Sequence, residues 1–311
     1  MSTIRELTNL GSCGVGAVLG TNSKKGCIKQ LTSARALWAF APGSSFLVDG
    51  TFDLTAVQLL QAQGKLIVFQ GVNTFEENGD EDAIETLDDT TKIVTTEGKY
   101  AFLATFTNGL DFNTALHTIK GFGNWNFAIV TSKGDILGAK DTALGLTGFD
   151  TGMIQPAKLQ VGTTQSGQKE GLMFQFLDRD EFDSGFLFIE KANLSFNPLK
   201  VEGINEAVIT YVNTPSNTDT IITIKVTLKD MKTVVSGLPF GAFLRLSDGV
   251  AEQPTAGDDS VTAGTYVLTV AAIATGEVET TEIYDNSNNR DVYLLSPDLY
   301  QSATATATAT A

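Results

Sequence analysis

The chain holds one histidine, His117, and two cysteines, Cys13 and Cys27. A Ser-His-Asp or Cys-His arrangement would have to use His117, because a weak nucleophile needs a base within hydrogen-bond reach. His117 stands beside Leu116 and close to Ile119 in a stretch of helical periodicity. There is no Gly-x-Ser-x-Gly elbow, and the residue reads as a partly exposed helix position. A zinc site would need both cysteines, His117 and a carboxylate, yet the cysteines are fourteen positions apart and lack C-x-x-C pairing. No phosphate-cradling glycine motif stands at a strand-to-helix junction. Two acidic runs, NGDED at 78–82 and DRDEFD at 178–183, offer hard oxygen ligands, but neither matches a calcium loop with its distal glutamate. A glycosidase-type carboxylate pair stays open, since its separation is set by the fold. Against it, only Trp38 and Trp125 exist to stack on a sugar. The expectation is a protein that is not an enzyme and carries no cofactor and no metal.

The elements that position these residues are mostly strands. In IKQLTSARALWAFAPGSSFLV two strands are predicted, broken at the turn dipeptide Pro42-Gly43. A short helix follows over DLTAVQLLQAQG, with Asp53 or Thr51 as N-cap and Gly64 as its stop. KLIVFQGV returns to strand. The run KIVTTEGKYAFLATFT at 92–107 sets Tyr100, Phe102, Ala104 and Phe106 on one side, as a half-buried strand requires. A helix is expected over 112–122, where Phe112, Ala115, Leu116 and Ile119 recur at three- and four-residue spacing. Hairpins are expected around Lys133-Gly134-Asp135 and between GLMFQF and SGFLFIE, with Phe174, Phe176, Phe186, Phe188 and Phe196 as core or subunit interface.

Composition narrows the function. The formal net charge is -15, and such a polyanion repels nucleic acid. No apolar run is long enough for a membrane span. The N-terminus MSTIRELTNL lacks a signal peptide's basic start and apolar core, so synthesis inside a cell with reduced thiols is the expectation. Charge is unevenly laid out. Between Lys65 and Lys92 there is no basic residue, while Glu76, Glu77, Asp80, Glu81, Asp82, Glu85, Asp88 and Asp89 are all acidic. This acidic loop is either solvated surface or a face turned toward a basic arm of a neighbouring subunit or an anionic cargo.

Near Asn197-Pro198 the composition shifts to Thr, Val and Ile. Short strand-like runs separated by turn residues then predict a β-sandwich of about one hundred residues. The domains expected are an N-terminal arm at 1–26, a β-barrel assembly domain at 27–198, a β-sandwich at 199–301, which lacks the immunoglobulin cysteine pair, and a low-complexity tail at 302–311. The tail's Ala/Thr alternation fits either a disordered end or a flat strand with small side chains.

The Gly-rich arm, ALWAFAPGSSF, the acidic loop, EGKYAFLATFTNG, the short helix DFNTALHTIKGF and the closing strands together resemble virion structural proteins of tailed phages. The layout is most similar to tail tube proteins with a C-terminal immunoglobulin-like (Ig-like) domain, of the type found in phages of Bacteroidota. The resemblance implies a mainly β fold: a rolled β-sandwich or barrel with one or two short helices, plus the Ig-like sandwich. It implies copies joined into stacked rings, assembled in the host cytoplasm and located in the virion. Partners would be the chain itself and other virion proteins, with DNA passing unbound through an acidic lumen. Glu76, Glu77, Asp80, Glu81 and Asp82 are its candidate lumen or ring-contact residues. A capsid, head-decoration or connector protein is the alternative. A carbohydrate-binding or adhesin module, displaying Tyr266, Tyr284, Tyr293 and Tyr300, is a second.

Overall fold

The computed structural model describes residues 31–47, 50–86, 88, 90–121, 123–140, 145–163, 167–216, 218–274, 276–286, 292–295 and 298–310. The expected arm at 1–26, Cys13, Cys27 and Asp89 lie outside them. The fold is mainly β, 48% strand against 12% helix, so cores must form between sheets. Two compact units result: Met1–Val57 with Gly64–Val201, and Gln58–Gln63 with Glu202–Ala311. The composition shift at 198 lies next to that division.

Through Ile189 the chain forms β1 (Ala34–Phe40), helix α1 (Leu54–Ala62), β2 (Leu66–Gln70), β3 (Thr74–Glu77), β4 (Ala83–Thr86), β5 (Lys92–Thr96) and β6 (Ala101–Phe106). Helix α2 (Leu110–Thr118), β7 (Asn126–Thr131), β8 (Ile136–Lys140), β9 (Leu146–Thr147), β10 (Thr151–Pro156), β11 (Glu170–Phe176), helix α3 (Arg179–Asp183) and β12 (Phe186–Ile189) follow. One sheet runs β12-β8-β7-β1-β2 with β9 beside β8, and a second runs β10-β11-β6-β3.

Alternation along these strands decides which side chains meet. Leu37, Phe69, Phe127 and Ile129 of the first sheet pack with Phe102, Phe106, Leu172 and Phe174 of the second in one core. The Phe127 and Phe174 rings stack at 4.6 Å. The opposite face of β1 is covered too: Trp38 and Phe40 meet Phe46, and Phe196 stacks on Trp38. Central strand β1 is therefore buried on both faces except at Arg35.

The helix signals hold for α1, whereas the helix expected over 112–122 runs from Leu110 to Thr118, and Gly121 beyond it bridges Ile154. The Ala56 amide donates to Asp53 Oδ1 at 2.9 Å, and Gly64 takes the left-handed φ of 64° past the end of α1. In α2, Leu116 and Ile119 are buried while Ala115 and His117 are exposed.

Three local readings are corrected. After Pro42-Gly43 no second strand forms among the described residues. Phe46 makes a single bridge to Leu146, because its ring is engaged by Trp38, Phe40 and Phe52. Strands β11 and β12 do not pair with each other: β11 lies between β10 and β6, and β12 joins β8. The acidic turn between them is helix α3, capped by Asp178 accepting from the Asp180 amide at 2.9 Å, which carries the chain from one sheet to the other. The run 92–107 is two strands, β5 and β6, interrupted near Gly98.

In the second unit, β13 (Ile204–Tyr211), β14 (Ile221–Leu228), β15 (Phe243–Ser247), β16 (Val250–Glu252) and β17 (Ala256–Thr262) lead to β18 (Thr265–Thr269) and β19 (Val278–Ile283). Strands β20 (Tyr293–Leu295), β21 (Asp298–Ser302) and β22 (Ala305–Thr308) complete it. The sheets β17-β18-β14-β13-β21-β20 and β16-β15-β19-β22 enclose Ile209, Ile224, Val226, Phe243, Leu268 and Ile283. Within this sandwich Arg245 and Glu279 are almost wholly buried and paired through Nε, and Nη2 reaches Glu279 Oε1 at 2.9 Å. Glu252 takes Nη1. The Ala/Thr run belongs to this sandwich: β22 pairs with β19, and Ala309 is in the core.

Candidate assembly surface

Strands β4 and β5 form a two-stranded sheet of their own, apart from the other four. Ile84 sits opposite Val94 and Glu85 opposite Ile93, so each face of the hairpin carries an apolar side chain. All are solvent-exposed, Ile84 by 61%, Val94 by 53% and Ile93 by 39%. A two-stranded ribbon is marginal alone, since it cannot cover its own faces. What fixes it here is its root.

At that root the chain leaving β3 crosses the chain entering β6 at close range. A Cβ on Gly79 would lie 2.4 Å from the Lys99 carbonyl oxygen, and one on Gly98 would lie 1.8 Å from that of Asp80. Only glycine permits this approach. Asp82 fastens the crossing: its Oδ1 accepts from the Gly98 amide at 2.8 Å and from the Arg179 guanidinium. Those two contacts, the amide first, hold the Asp82 carboxyl below its usual range. Arg179 also donates through Nε to Asp183 at 3.0 Å, which receives the Tyr100 hydroxyl at 2.8 Å. The Asp183 contact raises the Tyr100 hydroxyl's pKa, with burial adding to it. Helix α3 therefore ties the hairpin to the sheet body.

The five candidate residues do not form one loop. Glu76 and Glu77 lie on β3, opposite Leu103 and Phe102, at the edge of the second sheet. There their exposed charges blunt a strand margin that could otherwise pair with another chain. Asp80 and Glu81 are exposed in the link to β4. Asp82 is taken up by the root contacts. With Lys99, Tyr100 and Arg179, the residues Glu77, Asp80, Glu81 and Asp82 border an open notch of about 260 Å³, which Glu76 does not line. Among the described residues no group of three or more His, Cys, Asp or Glu is placed to hold a metal.

Sequence reasoning missed Arg179, Gly79, Gly98 and the pair Ile84/Val94. The signal for the last was present as a short apolar alternation inside an acidic run, with Gly98 breaking it from β6. In the second unit Tyr266 is fully buried, its hydroxyl donating to the Val235 carbonyl at 3.0 Å. Tyr284, Tyr293 and Tyr300 are half-buried, so these four tyrosines do not form an exposed aromatic platform.

No helix among the described residues is long and apolar enough to cross a membrane. No protein-family model matches the chain, and no curated protein matches its sequence.

Proposed function

We propose that this chain is a structural protein of a phage virion whose copies assemble into stacked rings, forming a tail tube with an acidic lumen through which DNA passes. The observation that carries the reading is the β4–β5 hairpin. It exposes Ile84, Ile93 and Val94 on both faces, yet it is fastened to the body by Asp82, Arg179 and the Gly79–Gly98 crossing. A fixed apolar projection with no cover from the described residues is suited to a neighbour, because burying that surface releases water and costs little ordering. The carboxylates of Glu76, Glu77, Asp80 and Glu81 suit a ring contact or a wall that DNA slides past, since like charge removes the attraction behind nonspecific binding. In this reading the second unit is the appended Ig-like module.

The test is negative-stain electron microscopy with sedimentation velocity on the full chain over a concentration series. The expected result is rings of uniform diameter, lengthening into tubes. A species that remains monomeric at the highest concentration and after seeding overturns the proposal.

A further inference from the structure

We infer that the hairpin end of the first unit docks on the opposite end of the same unit in a second copy, a head-to-tail contact driven by charge. This rests on the assembly reading and specifies which surfaces meet.

The two ends are defined by the strand registers. At one end lie Phe40 beside Asn126, Thr151 beside Phe176, and Glu77 beside Phe102; Asn126 and Asp150 join the sheets there. Here Glu77, Asp80, Glu81, Glu85, Asp150 and Asp180 are exposed. They outnumber the basic residues at the same end, Lys65, Lys92, Lys99, Lys140 and Arg179. Ile84 and Val94 are exposed on the hairpin at this end.

At the other end Ala34 sits beside Thr131 and Phe106 beside Glu170, and Asn108 bridges the sheets by donating to the Gln70 carbonyl. This end exposes Arg35, Lys133, Lys158 and Lys191. Lys133 and Lys191 are neighbours, because the Lys191 amide donates to Asp135 Oδ1 at 2.9 Å across the β7–β8 turn. The acidic residues here are Asp111, Asp135, Glu190 and the buried Glu170. Leu110 and Val161, exposed by 61% and 76%, lie at this end as well. The hairpin end thus offers apolar side chains among exposed carboxylates, and the opposite end offers them where these four basic residues are exposed and, of the acidic residues named, only Asp111 is. Complementary surfaces at opposite ends of one body cannot pair with each other in a single copy; they close between copies and propagate.

Two charge-reversed proteins test this by sedimentation velocity and negative-stain microscopy. One carries Glu77→Lys, Glu81→Lys and Glu85→Lys; the other carries Lys133→Glu, Lys158→Glu and Lys191→Glu. None of these side chains is in a core, and circular dichroism melting checks that both fold. Each alone is expected to need about tenfold or more higher concentration to associate, whereas an equimolar mixture recovers wild-type assembly by alternating the two. If the wild type assembles and neither variant differs from it, the head-to-tail contact is wrong while the assembly reading survives. A mixture that stops at heterodimers also overturns it, by pointing to hairpin-on-hairpin contact. A monomeric wild type overturns both.

Discussion

Strand β1 and the β4–β5 hairpin are both short β segments of the same unit that carry apolar side chains on both faces, yet they occupy opposite environments. β1 is covered on one face by the second sheet and on the other by Phe46 and Phe196. The hairpin is covered on neither by any described residue, and its root fastens it to the body. The difference separates two tasks. Residues of β1 hold the unit together, and a change there is felt as lost stability. Residues of the hairpin contribute almost nothing to the core, and a change there is felt in what the chain associates with.

The comparison breaks most visibly at Trp38. Trp38→Ala leaves a cavity between the Phe46 and Phe196 rings and is expected to cost about 3–5 kcal/mol by denaturant unfolding. A loss below about 1 kcal/mol would mean the double coverage of β1 is not what stabilises it. A similar magnitude is expected for the second unit's buried pair. Arg245→Ala strands Glu279 without its guanidinium, at about 3–5 kcal/mol, while joint replacement by Met and Leu is expected to come close to neutral.

At the hairpin root the expected effects become local. Gly98→Ala forces a Cβ onto the Asp80 carbonyl, so hydrogen exchange at 83–96 should quicken while exchange in β1 and β7 stays as it is. Acid should act on the same clasp. The Asp82 carboxyl is depressed when folded, so its contribution is complete above the unfolded value of 3.8 and is lost as pH falls through the lower folded value. Hairpin protection is expected to decline in that window, and Asp82→Asn to abolish the pH dependence. The smallest change in stability belongs to Ile84→Thr with Val94→Thr, within about 0.5 kcal/mol, and assembly measured by sedimentation should nevertheless be lost. If these two changes destabilise the monomer as Trp38→Ala does, the two regions are not different in kind.

Much of the architecture was legible beforehand because it follows from period. The alternation of Phe102, Ala104 and Phe106, the Asp53 cap and the Gly64 stop act over a few residues, and the structure places each as read. The pairing of GLMFQF with SGFLFIE failed because adjacency in the chain does not choose a sheet. Asp178 capping α3 turned the segment toward β8 instead. The acidic stretch was read as one loop because charge alone carries no period. Its division into an edge strand, a crossing and a hairpin depends on Arg179, which is 97 positions from Asp82.

From its residues alone this chain was bound to be mainly β, strongly acidic and limited to one histidine, since alternation and composition are properties of the order of letters. Only the folded molecule decided which alternating segments would be covered. Burial is set by what arrives from distant positions, and nothing in the described chain arrives to cover Ile84 and Val94.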